Sequence, residues 1–192
     1  MTMQADREKD LDAIFGWWKA LHEREPGTGA RAGRAELRRC SNLNDAMMVP
    51  VAHQLLRSAK GGTRVEDLLL VAIVLASMNT NTGDNPRISL AKALGQTADG
   101  RSPAESDRQR MSPLRFQSLR AAMTSADPTL RIRALRRAVA LSGDAGFAVR
   151  RLADDIIRFN DHVQRRWIFD YWQAFQPRGT PSDDPATGTK NS

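Results

Sequence analysis

The 192-residue chain has one cysteine, Cys40, one tyrosine and three histidines. A single cysteine excludes an intrachain disulfide framework and a cysteine zinc cluster. His22, His53 and His162 lie in separate segments, and none has a second ligand at metal spacing. Long apolar runs are also missing. The longest, residues 68–76, is far short of the roughly 20 residues that span a bilayer. The charged N-terminus has no apolar centre of a signal peptide. There is no P-loop, no G-x-G-x-x-G and no nucleophile beside a plausible base. These absences lead to the expectation of a soluble, cytoplasmic protein without cofactor, metal or enzymatic activity. A chain of this length buries on the order of 70% of its extended surface, so it can fold without staples.

Arginine is what the chain has in excess. Twenty-nine basic residues, 24 of them arginine, stand against 22 acidic ones, a net charge of +7. Residues 1–100 carry a balance of +1, residues 101–178 of +7, and the remainder of −1. A basic half joined to a near-neutral half points to a polyanionic partner met by one side of the molecule. Genomic composition bias can also enrich arginine over lysine without a functional cause.

The periodicity predicts an all-α protein. Residues 6–24 carry Leu11, Ile14, Trp17, Trp18 and Leu21 at helical spacing. A short helix is expected at 34–40, and Pro50 fits the first turn of the next. Residues 65–78 are apolar nearly all round, which makes them the buried centre of a bundle. Residues 79–86 read as a loop and 88–94 as a short helix closed by Gly95. Ser112-Pro113 and Asp127-Pro128 are helix starts, each a capping residue followed by a first-turn proline. Helices over 147–159 and 163–175 complete the set. Residues 96–111 read as a loop-rich linker, dividing an N-terminal bundle (1–95) from a basic C-terminal one (112–176). The tail, 177–192, is expected to be disordered.

The arginines are the candidate site. Arg34 and Arg38 share a helix face, with Arg39 beside them and Leu37 turned away as an anchor. Arg133, Arg136 and Arg137 fall within about a third of the circumference of one helix, with Leu130, Ala134, Ala138 and Leu141 on another arc. Arg115 and Arg120 lie on the helix begun by Ser112, and Arg165 and Arg166 precede Trp167. Guanidiniums grip phosphate oxygens bidentately and stay charged, so several on one surface would hold a nucleic-acid backbone. The competing role is intrabundle pairing, for instance Arg158 with Asp154 at i+4. No second helix carries base-reading residues, so backbone binding is favoured over sequence readout.

Among the aromatics, Trp167/Tyr171, Ile168/Trp172 and Tyr171/Phe175 are i, i+4 pairs. That spacing suits a core-facing helix better than stacking on unpaired bases. Asp154, Asp155, Asp161 and His162 are the one acidic cluster that could hold a divalent metal for phosphodiester cleavage. Asp161 can equally cap the last helix. Cys40 reads as a small buried residue rather than a reactive thiol.

The order of motifs carries a family resemblance. Trp17-Trp18-Lys-Ala-Leu21 is followed by Gly33-Arg-Ala-Glu-Leu-Arg-Arg-Cys40, the apolar 65–78 helix and Ile88-Ser-Leu-Ala-Lys-Ala-Leu-Gly95. Met111-Ser-Pro-Leu-Arg-Phe-Gln-Ser-Leu119, Leu135-Arg-Arg-Ala-Val139 and Arg165-Arg-Trp-Ile-Phe-Asp-Tyr171 complete the series. Over about residues 10–175 this resembles the CasB family, the small subunit of the type I-E CRISPR surveillance complex Cascade. The resemblance implies two small helical bundles and no enzymatic activity. It further implies a homodimer within a crRNA-bearing complex, contacting the other Cascade subunits. The basic surface would then hold the crRNA–target DNA heteroduplex and the displaced strand, stabilising the R-loop in antiviral defence. Carried onto the motif positions, the expected contacts are Arg34, Arg38, Arg39, Arg115, Arg120, Arg136, Arg137, Arg165 and Arg166. Arg133 joins them from its helical face alone. The alternative is a free-standing nucleic-acid-binding protein without sequence specificity.

Overall fold

The computed structural model describes residues 3–22, 29–78, 88–97, 109–143 and 145–173. These form ten helices: α1 (Met3–His22), α2 (Ala30–Arg39), α3 (Leu43–Met47), α4 (Pro50–Ser58), α5 (Val65–Ala76), α6 (Leu90–Gly95), α7 (Pro113–Met123), α8 (Pro128–Ser142), α9 (Val149–Ile157) and α10 (Asp161–Gln173). No strand occurs among the described residues, where the β geometry is one isolated bridge between Thr97 and Gln109. The all-α expectation holds, and no described helix is long and apolar enough to cross a membrane.

Local chemistry starts most of these helices. Prolines occupy the first turn of α4, α7 and α8, where a missing N–H costs nothing. Asp127 accepts the Thr129 amide at 2.8 Å, Asn42 the Asp45 amide at 2.9 Å and Ser89 the Lys92 amide at 3.1 Å. The cap of α10 is not Asp161. Asn160, one residue earlier, accepts the Val163 amide at 3.0 Å, and Asp161 occupies the first turn.

Helix α5 is the axis of the molecule. Every residue from Asp67 to Ala76 is buried, and α1, α2, α3, α4, α8 and α9 all pack against it. Short α6 packs on α10 and α8 rather than on the N-terminal helices. The buried apolar side chains form one cluster running from Leu11 through α5 to Tyr171. A division into lobes at 96–111 therefore has to run through a shared core. The ends of that segment lie side by side: the Arg110 amide donates to Gln96 at 2.9 Å and the Met111 amide to Leu94 at 3.1 Å. Most of the expected linker, the 79–86 loop, Phe175 and the 177–192 tail lie outside the described residues.

Two glycines permit close approaches. A Cβ on Gly33 would sit 2.4 Å from Val51 Cγ1, so glycine lets α2 lie against α4. On Gly61 a Cβ would meet the Asp6 carbonyl oxygen at 1.9 Å. The same turn is strapped to α1 by buried Asp10, which accepts the Gly61 amide at 2.6 Å and the Thr63 hydroxyl at 2.6 Å.

The aromatic assignment divides. Trp17, Trp18, Trp167 and Tyr171 are buried, and Tyr171 stacks on Phe116 with ring centres 4.1 Å apart. Burial pushes the Tyr171 hydroxyl up to about 12, and that hydroxyl donates to the Met111 carbonyl at 2.7 Å. Phe169 and Trp172, in contrast, are 65% and 50% exposed. Of the Ile168/Trp172 pair expected in the core, Ile168 is half-buried, and Trp172 packs edge-on against Tyr171 at the margin of the core.

Candidate nucleic-acid interface

A helix ends with carbonyls that have no partner within the helix, and a cation placed there answers both the hydrogen-bonding deficit and the negative end of the helix dipole. Among the described residues, four arginines fill that position. Arg34 donates to Ala76 O at 3.1 Å and to Met78 O, closing α5. Arg136 donates to Leu37 O and Cys40 O, each at 2.7 Å, closing α2. Arg131 reaches Ile156 O at the end of α9, at 3.3 Å, and Arg110 reaches Ser142 O at the end of α8, at 2.9 Å. Burial lowers the pKa of Arg34, Arg131 and Arg136, which remain cations at any physiological pH.

A second group is paired with carboxylates around α9. Asp154 receives Arg7 at 2.9 Å and Arg158 at i+4, as the spacing predicts. Buried Asp155 accepts Trp167 Nε1 at 2.7 Å and is ion-paired with Arg166. Burial raises its pKa against the opposing pull of Trp167 and Arg166. Arg150 spans Glu8 at 3.0 Å and Asp12 at 2.8 Å, and Arg151 meets Asp170 at 2.6 Å. The carboxylates considered for a metal are thus engaged by guanidiniums and an indole, while Asp161 and His162 are exposed. Among the described residues no group of three or more His, Cys, Asp or Glu is arranged to hold a metal. Cys40 is buried, donates to Glu36 O at 3.3 Å, and has its pKa raised by burial, the opposite of an activated thiol.

The ten candidate arginines therefore separate. Arg34 and Arg136 are held by carbonyls and Arg166 by Asp155. Arg120 is half-buried with its Nε lacking a hydrogen-bond partner. Arg38, Arg39, Arg115, Arg133, Arg137 and Arg165 are exposed, with no ion pair or hydrogen bond from their side chains among the described residues.

Four of these six flank one junction. Arg136 ties α8 to the C-terminal end of α2, where Arg38 and Arg39 sit, and Arg38 lies near enough to lower the Arg136 pKa. At 3.6 residues per turn, Arg133 and Arg137 stand about 60° and 100° around α8 from Arg136. They lie on the arc turned from the core. The buried arc of α8 is Ile132, Leu135, Ala138 and Val139. This corrects the apolar arc expected from Leu130, Ala134, Ala138 and Leu141, because Leu130 is 47% exposed beside the arginines. Arg31, also exposed, lies seven residues before Arg38 and so shares its face. Its i, i+7 spacing to Arg38 marks it in the sequence, although it lies outside the ordered motifs.

The family model described as CRISPR-associated protein Cse2 matches residues 33–172, from the middle of α2 to the end of α10. Comparisons with curated proteins and with solved structures found no match. The matched span covers well over half of the chain and takes in all ten candidate arginines. The chain belongs to the Cse2 family, the CasB small subunits that join the other subunits and crRNA in the type I-E CRISPR defence complex Cascade.

Proposed function

We propose that the protein is a non-catalytic clamp that stabilises the R-loop of the assembled complex, holding nucleic-acid backbone on the exposed arginines of α2 and α8. The observation that carries this reading is the set Arg38, Arg39, Arg133 and Arg137. These are exposed guanidiniums without carboxylate partners among the described residues, grouped about a junction that Arg136 locks. Phosphate is the ligand that such a set fits, since each fork can take two phosphate oxygens and none has to give up an internal ion pair. Exchange of a DNA duplex for an RNA–DNA heteroduplex is nearly balanced in energy, so a few backbone contacts can tip it. Arg115 and Arg165 extend the surface onto α7 and α10. Two copies of the chain in each complex would double it.

The test is the lifetime of a target-DNA complex formed by a crRNA-loaded effector purified with and without this chain. The clamp reading predicts a longer lifetime with the chain present. An equal lifetime, with the chain stably bound, removes it. Tight salt-sensitive binding of free DNA by the isolated chain, with no effect on the effector, would instead identify a free-standing nucleic-acid-binding protein.

A further inference from the structure

Arg136 lies in the middle of the candidate surface, yet it grips backbone. Its Nη1 donates to Cys40 O and its Nη2 to Leu37 O, each at 2.7 Å. Its Nε is buried with no hydrogen-bond partner among the described residues. The fork is therefore committed to the protein and has little left to offer a phosphate. The two residues between the carbonyls it grips are Arg38 and Arg39, the exposed pair of α2. On its own helix Arg136 stands between the other exposed pair, three residues after Arg133 and one before Arg137. The two helices pack mainly on different neighbours, α2 on α1, α4 and α5, and α8 on α5, α6 and α7.

We propose that Arg136 is a positioning residue of the clamp, a strut that fixes Arg38 and Arg39 relative to Arg133 and Arg137 and touches no phosphate itself. The proposal rests on the clamp reading and gives one arginine of the surface a different task from its neighbours. Guanidinium chemistry suits a strut. A planar fork that donates to two carbonyls sets an angle as well as a distance. In a half-buried site such bonds are also stronger than in water. Phosphates follow one another at regular intervals along a nucleic-acid backbone. Four grips therefore act together only when their spacing is held, and ordering them at the moment of binding would weaken the grip. A lysine in the same place brings a single point of charge and cannot reproduce the two-pronged hold.

The experiment measures target-complex lifetime against salt for assembled effectors carrying four variants of this chain. These are Arg136→Met, Arg136→Lys, the α2 double variant Arg38→Ala with Arg39→Ala, and that double variant combined with Arg136→Met. Positioning predicts that Arg136→Met shortens the lifetime roughly tenfold and lowers the salt slope by about two. The α2 double variant should do the same, although Arg136→Met keeps every exposed arginine. Arg136→Lys should resemble Arg136→Met, and because it keeps a cation at the site it serves where Arg136→Met does not fold. Added to the α2 double variant, Arg136→Met should change nothing further, the mark of a residue that acts through those two. A further drop there, with the slope lower by about another 0.9, would make Arg136 a phosphate contact and overturn the proposal. A parent lifetime and slope in Arg136→Met would overturn it too. So would a shorter lifetime at the parent slope, which a merely structural role predicts. If the α2 double variant itself keeps the parent lifetime, the clamp reading falls first and the strut with it.

Discussion

Around α9, which ion pairs tie to α1 on one side and α10 on the other, Arg7, Arg150, Arg151, Arg158 and Arg166 each face a carboxylate. Along α2 and α8, Arg31, Arg38, Arg39, Arg133 and Arg137 face solvent without one among the described residues. The same residue type thus serves as internal mortar in one region and as an open phosphate surface in the other. What separates the two is the placement of acidic residues. Glu8, Asp12, Asp154, Asp155 and Asp170 gather on α1, α9 and α10, whereas α8 carries no acidic residue and α2 only Glu36. Net charge alone does not mark the surface. Much of the basic excess in residues 101–178 belongs to guanidiniums that cap helix ends or pair with carboxylates.

The comparison breaks most severely at Asp155. Asp155→Ala strips the partner from Trp167 Nε1 and leaves the Arg166 charge without its carboxylate. A loss of about 3–5 kcal/mol is expected from removing one partner of a buried pair, read from urea denaturation of the isolated chain. If stability falls by less than about 1 kcal/mol, the mortar role assigned to the α9–α10 region is wrong.

Arg136→Met sharpens the comparison from the other side, since of the two arginines in the LRRAV motif Arg136 is the one held by backbone carbonyls. Cys40 O loses its guanidinium donor, and Leu37 O is left with the Cys40 amide alone. The expected cost is roughly 1–2 kcal/mol, because the site is only half-buried and water can replace part of the loss. Arg137→Met, one residue on, should stay within about 0.5 kcal/mol of the parent. Equal costs for the two would erase the distinction between held and free guanidiniums.

The smallest effect concerns pH. His22 sits between the carbonyls of Trp18, 2.8 Å from Nδ1, and Met78, 3.4 Å from Nε2. Burial chiefly, and then the charge of Arg34, lowers its pKa from 6.5. A histidine depressed in the fold binds protons more readily once unfolded, so its contribution is complete above 6.5 and is lost as the pH falls below it. Thermal melts should show a modest drop in Tm from pH 7.5 to 5.5 that is reduced in His22→Gln. A slope identical in both proteins would assign the pH response elsewhere.

The helix starts were legible because their chemistry is local: Pro113 and Pro128 sit in first turns and Asp127 caps its own helix, although Ser112, expected to cap α7, makes no side-chain capping bond. The buried α5 was legible from its unbroken apolar run, and the i, i+4 pair Trp167/Tyr171 marked the inner face of α10 correctly. The fate of individual arginines was not. Arg133, Arg136 and Arg137 look alike on a helical projection, and only the approach of the α2 carbonyls decides that Arg136 is consumed. Arg34 similarly shares a face with Arg38 but is drawn to the end of α5, 42 residues away in sequence. Trp172 misled for the converse reason. Its i, i+4 partner Ile168 is apolar, but the core reaches only as far around α10 as Val163, Trp167 and Tyr171.

The central claim is that the free arginines of α2 and α8, and not the held ones, retain target DNA. The most direct test measures the lifetime of the target complex across a series of salt concentrations, for effectors carrying Arg38→Ala, Arg39→Ala, Arg133→Ala and Arg137→Ala together. Each phosphate contact with a duplex contributes about 0.9 to the slope of log affinity against log salt. The account predicts a shorter lifetime at every salt concentration and a slope reduced by roughly three to four, with the isolated variant as stable as the parent. A lifetime and slope equal to those of the parent would contradict it.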